Sequence, residues 1–308
     1  MKNIVICCDG TGNFFGKNVS NVVKLHSVIE KTGDRQLAWY DPGVGTLSSY
    51  SAFNPLIKKL KFALGQGFGY GIKENILDAY RFLMQHYEEG DHIFLFGFSR
   101  GAYTVRAIAG FLYKCGLLQP HNQNLVFEAL RIYEGHGTEN WKNARSFHYN
   151  FARKCPVHFL GLWDTVTSVG WIYDPLVLDS TTRNPSVSVL RHAISIDERR
   201  AFFRQNLWHS HNKAPQQDIK QAWFAGVHSD VGGSYAPEDS ALSNIALEWM
   251  LVEAKRHGLL IRDLKEARKI VSGIEDPQLK NQNKSLNGFW YVAEIWPKLV
   301  KKFKPAKA

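Results

Sequence analysis

The chain has 308 residues, 44% of them hydrophobic, and a formal charge of +10; this is enough apolar material for one large α/β domain over 1–308 and ample for an enzyme. No apolar stretch approaches the roughly 20 residues that a membrane-spanning helix needs, and the run Ile4 to Cys8 is too short for a signal peptide, so a soluble protein made in the cytoplasm is expected. Much of the charge gathers at Lys58, Lys59 and Lys61 and in the tail 298–308 rather than on one broad face, and no nucleic-acid module is recognisable, so nucleic acid is not expected as a partner.

Ile4 to Cys8 reads as the first strand, followed by the loop Asp9-Gly10-Thr11-Gly12-Asn13, and Leu37 to Tyr40 as the second. The segment 47–64 carries the first lysine cluster among apolar residues; its pattern suits a lid or an ordinary surface helix equally. Gly65, Gly67, Gly69 and Gly71 lack the strand before them and the Gly-Lys-Ser/Thr ending of a phosphate loop, and are read as a flexible approach to a helix over Lys73 to Tyr87. Ile76, Leu77, Tyr80, Leu83 and Met84 fall on one face of that helix, whose role is packing. Ile93 to Phe96 is the third strand, and a helix runs from Ala102 to about Lys114.

The segments at about 116–155 and 171–215 hold aromatic residues without clean periodicity and are expected to be cap insertions. Between them lies the strand Val157 to Trp163, and after the second comes Ala222 to Val227, then a helix over about Ala241 to His257. Strands alternating with helices imply a mostly parallel sheet with helices on both faces, an α/β-hydrolase-like architecture. Cys7, Cys8, Cys115 and Cys155 have no metal-ligand spacing and read as reduced core thiols. The lysine clusters are read first as a solvated helix face and a frayed tail, and second as contacts with an anionic membrane surface.

Between the third strand and its helix stands Gly97-Phe98-Ser99-Arg100-Gly101, a Gly-x-Ser-x-Gly nucleophile elbow in strand-turn-helix context. The turn is tight enough that side chains in place of the glycines would collide with neighbouring elements. A serine hydroxyl needs a base to take its proton and an acid to hold the base in one tautomer. Functional residues of such sheets gather where strands end at the carboxyl edge. Asp164 directly follows the strand Val157 to Trp163, and His228 follows Ala222 to Val227, giving the order Ser99, Asp164, His228.

Competing acids are Asp174, Asp179 and Asp197, and Asp164 could instead cap a helix. His92, His158, His192, His209 and His211 lie in less informative settings, while Asp230 is read as structural, orienting the Gly232-Gly233 turn. The oxyanion hole is expected from the N–H of Arg100 and from the loop at Gly10 and Thr11. Asp9-Gly10-Thr11 is not a phosphatase loop, since Cys7 stands where such a loop places its aspartate nucleophile. The chemistry calls for no metal and no organic cofactor.

Together, Cys8 to Asn13, Pro42-Gly43-Val44-Gly45-Thr46, Gly97 to Ala102, Leu162-Trp163-Asp164-Thr165-Val166 and Val227 to Gly233 resemble the α/β-hydrolase domain of unknown function shared with type VI secretion lipase effectors of the first class. The segment His192 to Trp208, with Asp197-Glu198-Arg199-Arg200-Ala201-Phe202, is similar to it as well. The matching blocks run from residue 4 to about 250. The resemblance implies a triad of Ser99, Asp164 and His228, ester hydrolysis, and phospholipase A activity on a lipid substrate. Its effector members point to export by a dedicated secretion system, although the stretch after the last block leaves no room for the large extra region that many of them carry; peripheral membrane contact remains the second reading of the lysine clusters.

Overall fold

A computed structural model describes residues 1–10, 18–31, 33–43, 66–166, 170–171, 174–175, 178–200, 203, 205–209, 217–262 and 283–285, with the backbone alone at 66–70, 170–171 and 174–175. The segment 47–64, read as a lid or a surface helix, both lysine clusters and Thr11 lie outside these residues.

Six strands form one sheet: β1 (Asn3–Cys8), β2 (Gln36–Asp41), β3 (His92–Phe98), β6 (Val157–Trp163), β9 (Val187–Ser195) and β10 (Asp218–Phe224). Two short antiparallel pairs lie apart from it, β4 (Leu117–Leu118) with β5 (Ala152–Arg153) and β7 (Gly170–Trp171) with β8 (Asp174–Pro175). The order across the sheet is β2-β1-β3-β6-β9-β10, and every neighbouring pair is parallel. Because both faces are covered, the inner strands are apolar at almost every position. Ile4, Ile6, Ile93, Leu95 and Leu160 point to one face; Val5, Cys7, Phe94, Phe96 and Phe159 point to the other.

The first face is covered by α2 (Gln66–His86) and α3 (Arg100–Cys115), the second by α1 (Asn21–Val28) and α7 (Ala241–Arg256). The layered α/β architecture with a parallel sheet is thus the one expected. Helix α2 starts earlier than its apolar stripe suggested, so Gly67, Gly69 and Gly71 are helical rather than an approach to it. All four cysteines are free and buried.

The segment 116–155 holds α4 (Val126–Glu134) and α5 (Thr138–Phe151), which pack on the distal half of α3, for example through stacked Phe111 and Tyr133. The segment 171–215 needs correction as a cap, because Val187–Ser195 is a sheet strand paired along its length with β6 and β10. Arg191 and His192 break its apolar pattern, yet both are buried. Arg191 meets Glu253 of α7, and His192 Nε2 accepts the Thr165 N–H at 3.3 Å. A polar stripe on α3 holds the loop before β9. Tyr103 Oη accepts the Leu178 N–H at 3.2 Å, Arg106 donates to the Thr181 carbonyl, and Lys114 Nζ meets Asp179 Oδ2 at 2.7 Å.

Candidate active site

The sheet changes winding direction between β1 and β3, and a crevice at the carboxyl edge beside that point is where ligands enter folds of this kind. Ser99 sits there, in the turn from β3 into α3, with φ 58° and ψ −119°. That left-handed backbone is costly for a residue with a Cβ and persists only where the surroundings impose it. Here they do. A Cβ on Gly97 would strike the backbone of Gly101 and Ala102, and one on Gly101 would overlap the Cys8 and Asp9 carbonyls. Ser99 N–H donates to the Trp163 carbonyl at 3.0 Å, tying the turn to the end of β6.

Asp164 follows β6 directly, as expected, with φ 39°. It does not cap a helix; it is buried, and its Oδ2 lies 2.7 Å from His228 Nδ1. His228 Nε2 in turn lies 2.8 Å from Ser99 Oγ. The structure therefore brings the three residues chosen from the sequence into one hydrogen-bonded chain. The carboxylate beside Nδ1 holds the neutral imidazole as its Nδ1–H tautomer and leaves Nε2 to accept from the hydroxyl. His228 does not abut its strand: β10 ends at Phe224, and the histidine opens the short helix α6 (His228–Gly232) after a turn at Gly226. Asp230 is structural, but its Oδ2 accepts the Val227 N–H at 3.0 Å, so it braces the approach to His228 rather than the Gly232-Gly233 turn.

The other candidates whose side chains are described have other partners, while the Asp174 side chain and His211 lie outside the described residues. Asp179 pairs with Lys114 and His136, and Asp197 accepts the Gly226 N–H. His92 and His158 stack on each other, and His192 is in the core, its basicity lowered by burial and then by Arg106. Among the described residues no group of three or more His, Cys, Asp or Glu side chains could hold a metal ion.

Of the expected oxyanion donors, Arg100 is the first residue of α3, and its guanidinium is pushed down to about 10 by burial. Gly10 departs from expectation: its N–H donates to Asp9 Oδ1 at 2.7 Å. The buried Asp9 carboxylate also accepts from Ser20 Oγ at 2.6 Å and Tyr40 Oη at 3.0 Å, fixing the loop beside the elbow. In this conformation Gly10 is therefore engaged with its neighbour.

Several contacts to the site were missed in the sequence. Ser195, at the end of β9, donates both its N–H and its hydroxyl to Asp164, and the Glu198 side chain accepts the His228 N–H. Phe98 and Phe203 pack on the imidazole with ring centroids 4.7 and 4.8 Å away. Recognising β9 as a strand would have exposed Ser195, because its last residue falls at the same sheet edge as Ser99 and Asp164.

A family model described as the catalytic domain of the Tle1-like phospholipase effector of the type VI secretion system matches residues 2–253. The uncharacterized protein YEL023C of Saccharomyces cerevisiae is 36% identical over 221 residues, 66% of this chain and 32% of that protein, so the chain spans about a third of this relative's length. The crystal structure of an uncharacterized protein from Pseudomonas aeruginosa has a TM-score of 0.51 at 20% identity, covering 87% of this chain and 48% of that one, a likeness of fold. The structure of the Tle1 effector bound to the VgrG spike from the type VI secretion system has a TM-score of 0.44 at 14% identity, covering 94% of this chain and 82% of that one. On the match to residues 2–253, the chain belongs to the family of Tle1-like phospholipase effector catalytic domains of type VI secretion.

Proposed function

We propose that the protein is a serine esterase that cleaves phospholipid acyl esters, with Ser99 as nucleophile, His228 as base and Asp164 as the acid that orients it. The observation that carries this reading is the unbroken chain from Ser99 Oγ through His228 to Asp164, with contacts of 2.8 and 2.7 Å. His228 Nε2 takes the hydroxyl proton as Oγ attacks the ester carbonyl, and the imidazolium formed is stabilised by Asp164. The tetrahedral oxyanion is received by the Arg100 N–H and by a second donor from the loop after β1. The imidazolium then gives its proton to the departing lysophospholipid oxygen, leaving an acyl-serine. Water, deprotonated by His228, releases the fatty acid and restores Ser99.

The family description supports a phospholipid substrate, and delivery by a type VI secretion system follows as part of the same reading. No helix among the described residues is long and apolar enough to cross a membrane. Peripheral contact with the lipid surface is part of the same reading. Hydrolysis of phosphatidylglycerol and phosphatidylethanolamine vesicles, beside a short-chain soluble ester, tests the proposal. Wild type should release fatty acid from vesicles, and Ser99→Ala should lower the rate by at least about 1,000-fold while melting within a few degrees of wild type. Activity on the soluble ester alone would make it a carboxylesterase. Equal rates for wild type and variant would overturn the nucleophile assignment.

A further inference from the structure

The run Asp197-Glu198-Arg199-Arg200 stood out in the sequence without any part in the chemistry. In the structure it continues from β9 into the space around His228, and each described side chain but Arg199 has a bond bearing on the site. Ser195 holds both oxygens of Asp164: its N–H donates to Oδ1 at 2.9 Å and its hydroxyl to Oδ2 at 2.8 Å, the oxygen that faces His228. Asp197 exchanges two bonds with Gly226, giving its N–H to the carbonyl at 3.1 Å and receiving the Gly226 N–H on Oδ2 at 2.8 Å. The loop that leads into His228 is thereby clamped.

Glu198 has no exposed side-chain surface. Its Oε2 accepts the His228 N–H at 3.2 Å and Arg200 Nη2 at 2.8 Å, while Oε1 accepts the Arg200 N–H at 2.8 Å and Nε at 2.9 Å. Burial would raise this carboxylate, but its hydrogen bonds to Arg200 outweigh burial and hold it below the usual range. The Arg200 guanidinium lies 3.7 Å from the centre of the Phe203 ring, and that ring meets the imidazole edge to face.

We infer that Ser195, Asp197, Glu198, Arg200 and Phe203 form a positioning strap, in which Ser195 aims the Asp164 carboxylate and the Glu198–Arg200 pair aims His228 at Ser99. Neither Ser195 nor Glu198 touches the reacting atoms; Ser195 acts on His228 through Asp164, and Glu198 through the His228 backbone N–H. The inference rests on the hydrolase reading for its consequence in turnover, and on geometry alone for the placement of the imidazole. The Ser195 hydroxyl takes one lone pair of Oδ2 and leaves the other for Nδ1, and the backbone bond to Glu198 fixes the histidine from its other end. Hydrogen bonds to a charged group are stronger than neutral ones, so losing one should misplace the base enough to be read in rate.

The test compares Ser195→Ala, Ser195→Thr and Glu198→Gln with wild type and Ser99→Ala. Steady-state hydrolysis of vesicles is read beside the low-field proton resonance of the His228 Nδ1–H, assigned by its loss in His228→Gln. Ser195→Ala and Glu198→Gln should lower kcat by about 10- to 100-fold with KM nearly unchanged, and should shift or broaden the resonance. Ser195→Thr, which keeps the hydroxyl, should recover most of both. Loss of activity together with loss of the folded circular-dichroism signal in both variants would mean a merely structural strap and overturn the inference, as would an unaltered resonance and kcat. If wild type shows no Ser99-dependent turnover while the resonance still moves in the strap variants, the hydrolase reading fails and the positioning role stands.

Discussion

Single residues at the carboxyl edge carry most of the cost of this site. Ser99 and Asp164 both have positive φ, and the glycines beside Ser99 are packed so closely that no side chain could replace them. Asp41 shows another cost in a nearby loop. It ends β2, accepts the Gly43 N–H at 2.6 Å and Asn75 Nδ2 at 2.8 Å, and is pushed up to about 6 by burial, with the Asp78 and Asp9 carboxylates adding to the effect against the Gly43 bond. In the unfolded chain the carboxyl returns to 3.8. A raised native value means that the folded state keeps a proton the unfolded state has lost, so this contribution is full below about pH 4 and lost as pH rises through about 6. Asp41→Asn should therefore remove a fall in stability on the order of 2 kcal/mol between pH 4 and pH 7.5. Urea unfolding of both proteins at the two pH values reads it; parallel curves for wild type and variant would refute it.

At the scale of elements, the helix after the elbow does two jobs. Its N-terminus closes the turn that presents Ser99, and its polar stripe fastens the loop before β9 through Tyr103, Arg106 and Lys114. Lys114 is the clearest anchor, because its ammonium is wholly buried and Asp179 is its carboxylate partner. Asp179→Asn should strip that charge of compensation and cost about 3 kcal/mol in urea unfolding, and adding Lys114→Met should restore much of the loss. If the double variant is no more stable than the single one, the pair is not what fastens the loop. The elements most legible in the sequence were those whose burial is nearly uniform: β1 and β3 read as apolar runs, β6 as one interrupted by His158, and α7 ended within a residue of its expected bound. Strand β9 was hidden because Arg191 and His192 are buried by finding partners in α7 and in the turn after Asp164, which no periodicity reveals. The same blindness concealed Ser195 and Glu198, whereas Ser99, Asp164 and His228 could be found because each follows a strand or begins just beyond one. Gly10 was misread for a different reason: nothing in its sequence says that the carboxylate before it will bend back to take its N–H.

For the whole molecule, the strand order spreads the site across the sheet, with Asp9 after β1, Ser99 after β3, Asp164 after β6, Ser195 at the end of β9 and His228 beyond β10. The middle of this array is deeply covered, but β10 has one neighbour among the described strands and alternates between half-buried and exposed positions. Stability need not be uniform over such a structure, and sparsely buried margins open before the core does. Raising urea should thus abolish turnover at a lower concentration than it removes the helical circular-dichroism signal, with amide exchange fastest in Asp218–Phe224; coincident midpoints would speak against it. Time adds a further consequence. On the proposed hydrolase reading, a chain emerging from the ribosome carries Ser99 and Asp164 well before His228, so the three can meet only once β10, the last of the described strands, has docked.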